Sequence, residues 1–142
     1  MERVTTLKEL DTAAAHFIQT LSPISGATLV TLTGELGAGK TAFVKAVAKA
    51  FGVEEVVNSP TFVLEKIYGL PKGPFKRLIH IDAYRLEKGE DLAPLGFDEL
   101  MQDSGNLVML EWPERVAGAL PKPVRALTLT VEPDNTRTIS YA

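Results

Sequence analysis

Two kinds of residue in this 142-residue chain could do chemistry: a glycine-rich run ending in Lys-Thr, and two carboxylates that each close an apolar run. Gly34-Glu35-Leu36-Gly37-Ala38-Gly39-Lys40-Thr41 fits G-x-x-x-x-G-K-[ST] at every fixed position. Glycines in such a run take positive φ and bring backbone N–H groups against a polyphosphate, where a Cβ would obstruct. A helix that follows points its positive dipole end and its unpaired N–H groups at the same anion. Lys40 is then placed to reach the β- and γ-phosphates, and the Thr41 hydroxyl to ligate Mg²⁺. With glycine at about 7% of residues, a chance match arises in roughly one chain of this length in a few hundred. The flanking residues lower that further, because the run lies between a β-branched stretch and a helical one, as its mechanics require. The expectation is a site for a nucleoside triphosphate and Mg²⁺ at Gly34 to Thr41.

Such a site also needs a carboxylate at a strand end to hold the metal directly or through water. Asp82 follows Leu78-Ile79-His80-Ile81, and Glu111 follows Leu107-Val108-Met109-Leu110. An acid where an apolar strand leaves the core is common, and each alone reads equally well as a solvated residue. Two such ends beside one phosphate loop carry more weight, because ligands gather at the carboxyl ends of parallel strands. Spacing does not decide which acid holds the metal and which orients water.

Thr61, in Ser59-Pro60-Thr61-Phe62, is a candidate for a switch threonine that touches metal and γ-phosphate. Pro60 also pre-sets the backbone for a turn, and on these residues alone the turn is the simpler reading. Trp112 either flanks a nucleotide or packs in the core. Arg85 is a candidate for a phosphate or partner contact, with a surface ion pair as the plainer role. His80 alternates with Ile79 and Ile81, so its side chain leaves the other face of its strand. A structural hydrogen bond fits it better than catalysis or metal binding.

The elements that must position these residues are readable in the same rows. Thr6-Leu7-Lys8-Glu9 fits a capping box. Leu7, Leu10, Ala14, Phe17, Ile18 and Leu21 then recur at helical spacing up to a stop at Pro23. Ala27 to Thr33 reads as a strand, Lys40 to Phe51 as a helix ended by Gly52, and Thr61 to Tyr68 as a strand before the loop Gly69 to Lys76. Arg77 to Asp82 and Asn106 to Glu111 read as buried strands with a short helix, Phe97 to Gln102, between them. Ala126 to Val131 and Arg137 to Tyr141 flank turn residues and suggest a hairpin. The expected architecture is one α/β domain over residues 1–142: a P-loop NTPase fold, with a mixed, mostly parallel sheet flanked by helices and antiparallel C-terminal strands.

Composition narrows the function. The chain is 45% apolar and 23% charged, as ordinary globular proteins are. A net charge of −3 argues against broad, unaided nucleic-acid binding, and the lack of cysteine excludes disulfides, zinc–thiolate sites and a cysteine nucleophile. With no signal-peptide pattern after Met1 and no apolar run long enough to span a bilayer, the expectation is a cytoplasmic protein without membrane contact.

Four segments together resemble the TsaE (YjeE) family, small bacterial ATPases of tRNA threonylcarbamoyladenosine synthesis. They are Gly34 to Thr41, Ser59-Pro60-Thr61-Phe62, His80-Ile81-Asp82-Ala83-Tyr84-Arg85-Leu86 and Leu110-Glu111-Trp112-Pro113-Glu114. The first is shared by countless NTPases, whereas Asp-x-Tyr-Arg and Glu-Trp-Pro-Glu in this order are far more specific. The resemblance implies ATP as the nucleotide, Glu111 in the metal role and Asp82 supporting hydrolysis through the metal or the attacking water. It implies that Thr61 is the switch-like threonine and that Trp112 lies beside the nucleotide. It also implies TsaB and TsaD as partners, with tRNA met through that complex, and slow turnover without them. Two other classes stay open on the residues alone: a module in which nucleotide merely orders a partner surface, and a small-molecule kinase. The absence of Asn-Lys-x-Asp weakens a GTPase reading.

Overall fold

The computed structural model describes residues 2–54 and 64–142, so the Ser59 to Phe62 segment and Thr61 lie outside the described residues. The chain runs β1 (Glu2–Val4), α1 (Leu7–Ile18), β2 (Thr28–Thr33), α2 (Lys40–Ala50), β3 (Glu65–Gly69), β4 (Arg77–Asp82), α3 (Phe97–Leu100), β5 (Asn106–Glu111), β6 (Arg125–Val131) and β7 (Arg137–Tyr141). Short 3-10 turns occupy Gly89–Leu95, Pro113–Arg115 and Ala117–Ala119. Seven strands form one sheet in the order β1-β7-β6-β2-β5-β4-β3. The inner pairs β6–β2, β2–β5 and β5–β4 are parallel, and the outer pairs β4–β3, β6–β7 and β7–β1 are antiparallel. The mixed sheet with its parallel centre and antiparallel C-terminal hairpin is as expected.

The central strands are apolar on both sides because both sides are covered. On one face, Leu78, Leu107 and Met109 pack with Phe17 of α1 and Phe43 and Val47 of α2. On the other, Ile79, Ile81, Val108 and Leu110 pack with Leu92, Phe97 and Val116 from the short helical turns. Phe43 meets Phe17 edge to face with ring centroids 5.6 Å apart, which ties the first turn of α2 to α1.

Local differences from the sequence reading have local causes. The Thr6 hydroxyl accepts the Glu9 N–H at 3.1 Å, as the cap requires, and the Glu9 carboxylate is taken up by the hydroxyls of Thr5 and Thr6. Helix α1 ends at Ile18, short of Leu21. The Thr20 hydroxyl donates to the Phe17 carbonyl at 2.7 Å, and the Thr20 and Leu21 N–H groups bond three residues back, so the last turn tightens well before Pro23. Helix α2 stops at Ala50, where Gly52 at φ 89° breaks the helical path one residue beyond Phe51. Strand β1 was not expected, since three residues carry no periodic signal; it exists because β7 offers it an edge.

Because Phe43 is fully buried two residues after Thr41, Phe43→Ala should destabilise the chain by about 3–5 kcal/mol. Urea unfolding followed by far-UV circular dichroism checks this; a loss under about 1 kcal/mol would show that the α1–α2 contact does not anchor the start of α2.

Candidate functional site

Strand register builds the site. In β4 and β5, Leu78 faces Leu107, His80 faces Met109 and Asp82 faces Glu111. Glu111 is also level with Leu32 near the end of β2. Partners in register share a side of the sheet. The residues of this set at alternate positions, Leu78, Leu107, Met109 and Leu32, all pack on the α1–α2 face. Asp82 and Glu111 therefore stand on that face at the carboxyl end of the sheet, where β2 gives way to the loop Gly34 to Gly39 and then to α2.

The loop has the conformation its glycines were expected to supply. Gly37 and Gly39 take φ of 81° and 98°, the left-handed region that a side chain disfavours. A Cβ on Gly34 would come within 2.5 Å of the Leu129 carbonyl oxygen of β6, so only glycine fits that approach. Lys40 is buried, and its ammonium donates to the Gly34 and Glu35 carbonyls, the latter at 2.8 Å. It also lies 4.4 Å from the centroid of the Trp112 ring. Burial pushes the Lys40 ammonium below the usual lysine range, and the nearby carboxylates of Glu111, Asp82 and Glu114 oppose that shift.

The Thr41 hydroxyl donates to Glu111 Oε2 at 2.8 Å. The same oxygen lies 2.6 Å from His80 Nε2, so the expected structural hydrogen bond of His80 is to this very acid. Asp82 accepts the Tyr84 N–H at 3.0 Å. Its carboxyl is raised above the usual range, mainly by burial and further by Glu111, with the Tyr84 N–H pulling the other way. Lys40, Thr41, Asp82, Glu111, Tyr84 and Trp112 line one cleft of about 210 Å³, with Leu36, Gly37 and Gly39 at the loop. An apolar pocket of about 290 Å³ adjoins the same loop at Ala38, Gly39 and Ala42, bounded by Thr6, Leu129 and Arg137 among others.

The oxygens of Thr41, Glu111 and Asp82 suit a hard divalent cation such as Mg²⁺. No group of three or more His, Cys, Asp or Glu among the described residues makes a metal centre by itself. Of the candidates, Leu36, Gly37, Gly39, Lys40, Thr41, Asp82, Glu111 and Trp112 line this cleft, Gly34, Glu35 and Ala38 belong to the loop without lining it, and Thr61 lies outside the described residues. Glu35 is exposed and takes part through its carbonyl. Arg85 is exposed and does not line the cleft. Sequence reasoning missed Arg115, which sits 5.3 Å over the Tyr84 ring, itself 5.0 Å from Trp112. It missed Arg137 too, which donates to the Gly37 carbonyl at 3.2 Å. Neither carries a local signal, because both reach the site only through tertiary folding.

Fold, loop and register together define a mixed α/β domain of the P-loop class. Residues 4–139 match the family model described as threonylcarbamoyl adenosine biosynthesis protein TsaE. Relatives named tRNA threonylcarbamoyladenosine biosynthesis protein TsaE include that of Rickettsia prowazekii, 37% identical over 141 residues, covering 99% of this chain and 92% of that protein. The Treponema pallidum protein of the same name is 40% identical, covering 80% of this chain and 81% of its own length. The crystal structure of Bacillus subtilis YdiB superposes with a TM-score of 0.74 at 27% identity, covering 99% of this chain and 82% of that one. The chain belongs to the TsaE family. Among the described residues no helix is long and apolar enough to cross a membrane.

Because the folded chain holds the Asp82 proton more tightly than the unfolded chain, this group's contribution to stability falls as pH rises from about 3.9 through its higher folded pKa. Ionised Asp82 therefore costs stability at neutral pH. Asp82→Asn, which can still accept the Tyr84 N–H, should raise the Tm of the nucleotide-free protein by on the order of 2 °C at pH 7. The gain should vanish below about pH 4. Thermal melts across pH check this, and an unchanged or lower Tm at pH 7 would show that burial of this carboxylate is not a cost.

Proposed function

We propose that this chain binds ATP with Mg²⁺ and hydrolyses it slowly, supporting tRNA threonylcarbamoyladenosine synthesis by acting on a TsaB–TsaD complex. One observation carries the reading: Lys40, Thr41, Asp82 and Glu111, from three separate elements, line a single cleft at the carboxyl end of parallel strands. In this reading the loop N–H groups and Lys40 bind the triphosphate. Lys40 exchanges the Gly34 and Glu35 carbonyls for phosphate oxygens. Thr41 and Glu111 hold Mg²⁺, whose chemical contribution is to neutralise charge on the β- and γ-phosphates. Asp82 supports hydrolysis by orienting water, directly or through the metal shell. Thr61 is the switch-like threonine. The apolar pocket beside Ala38 and Ala42 takes the base, since it adjoins the loop on the side away from the carboxylates.

Slow intrinsic turnover also has a physical reason. Phosphoryl transfer draws a large part of its rate from extra positive charge at the γ-phosphate. Lys40 is the single cation among the described residues lining the cleft. A partner that orders the site or adds a cation would accelerate hydrolysis, which suits a component that works within a complex.

Lys40→Ala should weaken ATP binding by at least about 10-fold and abolish tRNA modification in a reconstituted system with TsaB and TsaD. Glu111→Ala should retain nucleotide binding and lose about 100-fold or more in phosphate release. Single-turnover incubation with γ-labelled ATP should yield labelled phosphate; a labelled organic product would establish a kinase. Phosphate release from Glu111→Ala at the wild-type rate would remove Glu111 from the hydrolytic machinery, whereas normal tRNA modification by Glu111→Ala and Asp82→Ala variants that bind ATP without releasing phosphate would leave only a nucleotide-ordered interaction module. Normal modification by Lys40→Ala would overturn the role altogether.

A further inference from the structure

His80 is fully buried in β4, and the reading above gives it no task. Its Nε2 lies 2.6 Å from Glu111 Oε2, the oxygen that also accepts the Thr41 hydroxyl. A carboxylate oxygen in this position can only accept, so the ring proton belongs on Nε2. Nδ1 is then the lone-pair nitrogen, and it has no hydrogen-bond partner among the described residues. Among the described residues the ring therefore has one polar target. A histidine kept only to fill the core would more cheaply be aliphatic, since a buried nitrogen without a partner costs free energy.

The two bonds to Oε2 differ in what else they must do. Thr41 is a site residue in its own right: its hydroxyl oxygen can ligate a cation while its proton still donates to Glu111, so its position answers to the ligand as well as to the acid. His80 reaches Glu111 from inside the sheet and has no other polar partner among the described residues. Its bond constrains the Glu111 side chain from a position that touches no ligand, and it ends on one oxygen, leaving the other outside this pair of bonds. Carboxylates and imidazoles paired in this manner hold metal-side ligands in orientation, and removing such an outer partner lowers metal affinity by about 10–100-fold.

We propose that His80 is a positioning residue that fixes the Glu111 carboxylate for divalent-cation binding through its Nε2–H. The inference rests on the reading of Glu111 as the metal-side carboxylate. The fluorescence of Trp112, the chain's one tryptophan, provides a readout in the cleft that needs no turnover. ADP is titrated in EDTA and across a Mg²⁺ series for wild type, His80→Leu, His80→Asn and His80→Gln, with circular dichroism confirming that each is folded. Gln can place an N–H where Nε2 stands, whereas Asn falls short.

In EDTA all folded variants should bind ADP within about 2-fold of wild type, because His80 does not touch the phosphate loop. The Mg²⁺ concentration for half-maximal tightening should rise about 10–100-fold in His80→Leu and His80→Asn and return to within about 3-fold in His80→Gln. If His80→Leu does not fold, the contrast between Asn and Gln carries the same test. Unchanged Mg²⁺ dependence in the Asn variant would overturn the proposal. So would equal losses with and without Mg²⁺, or a Gln variant no better than Asn. A wild type that binds ADP but ignores Mg²⁺ would instead remove the metal reading of Glu111, and one that does not bind ADP would remove the nucleotide reading.

Discussion

Glu111 is a carboxylate 2% exposed at the end of a strand buried on both faces, and a charged group there is tenable only with hydrogen-bond donors in place. Its two donors come from different elements, the Thr41 hydroxyl at the start of α2 and the His80 ring in β4. Satisfying this one oxygen fixes α2 against the sheet and β4 against β5 at the end of the sheet where the phosphate loop lies. The parallel centre of the sheet is the other half of that arrangement. Only with β2, β4 and β5 running the same way do the loop, Asp82 and Glu111 arrive at one edge. The outer strands β1, β3 and β7, each paired antiparallel to its neighbour, extend the sheet and supply no direct site carboxylate.

Lys40 has its charge satisfied within the chain. A buried ammonium needs acceptors, and here the carbonyls of Gly34 and Glu35 and the face of Trp112 supply them. These contacts wrap the loop around the lysine. Trp112 contributes at a cost, since φ 61° is left-handed backbone that is worth about 1–2 kcal/mol of strain for a bulky residue. Its N–H bonds the Leu32 carbonyl at 3.2 Å, which anchors the turn directly after Glu111. Arg115, Tyr84, Trp112 and Lys40 then form a succession of cation–ring and ring–ring contacts from the surface to the cradle.

The parts of this arrangement written in local spacing were legible beforehand. The phosphate loop, the helix after it, the two strand-end acids and the Thr6 cap each depend on residues within a few positions of one another. The alternation around His80 even gave the correct face of β4. What spacing could not supply was the partner: nothing near residue 80 in the chain says that its ring meets residue 111. Arg137 and Arg115 were illegible for the same reason, and β1 because three residues have no period of their own. The short helical turns that cover the second face carry apolar residues such as Leu92 and Phe97 at no regular interval, so that layer became visible only once packed.

The cleft is built from groups that satisfy one another, with Lys40 the single cation among its described lining residues. Lys40, Thr41 and Glu111 each have hydrogen-bond partners within the chain. Lys40 touches the Trp112 ring, Trp112 the Tyr84 ring and Tyr84 the Arg115 guanidinium at the surface. Lys40 thus stands one ring away from an exposed tyrosine and arginine, a short run of contacts from the glycine-rich loop to the surface. Each link in that run is a contact of a fraction of a kcal/mol to about 2 kcal/mol, a scale on which such contacts can exchange without unfolding the frame.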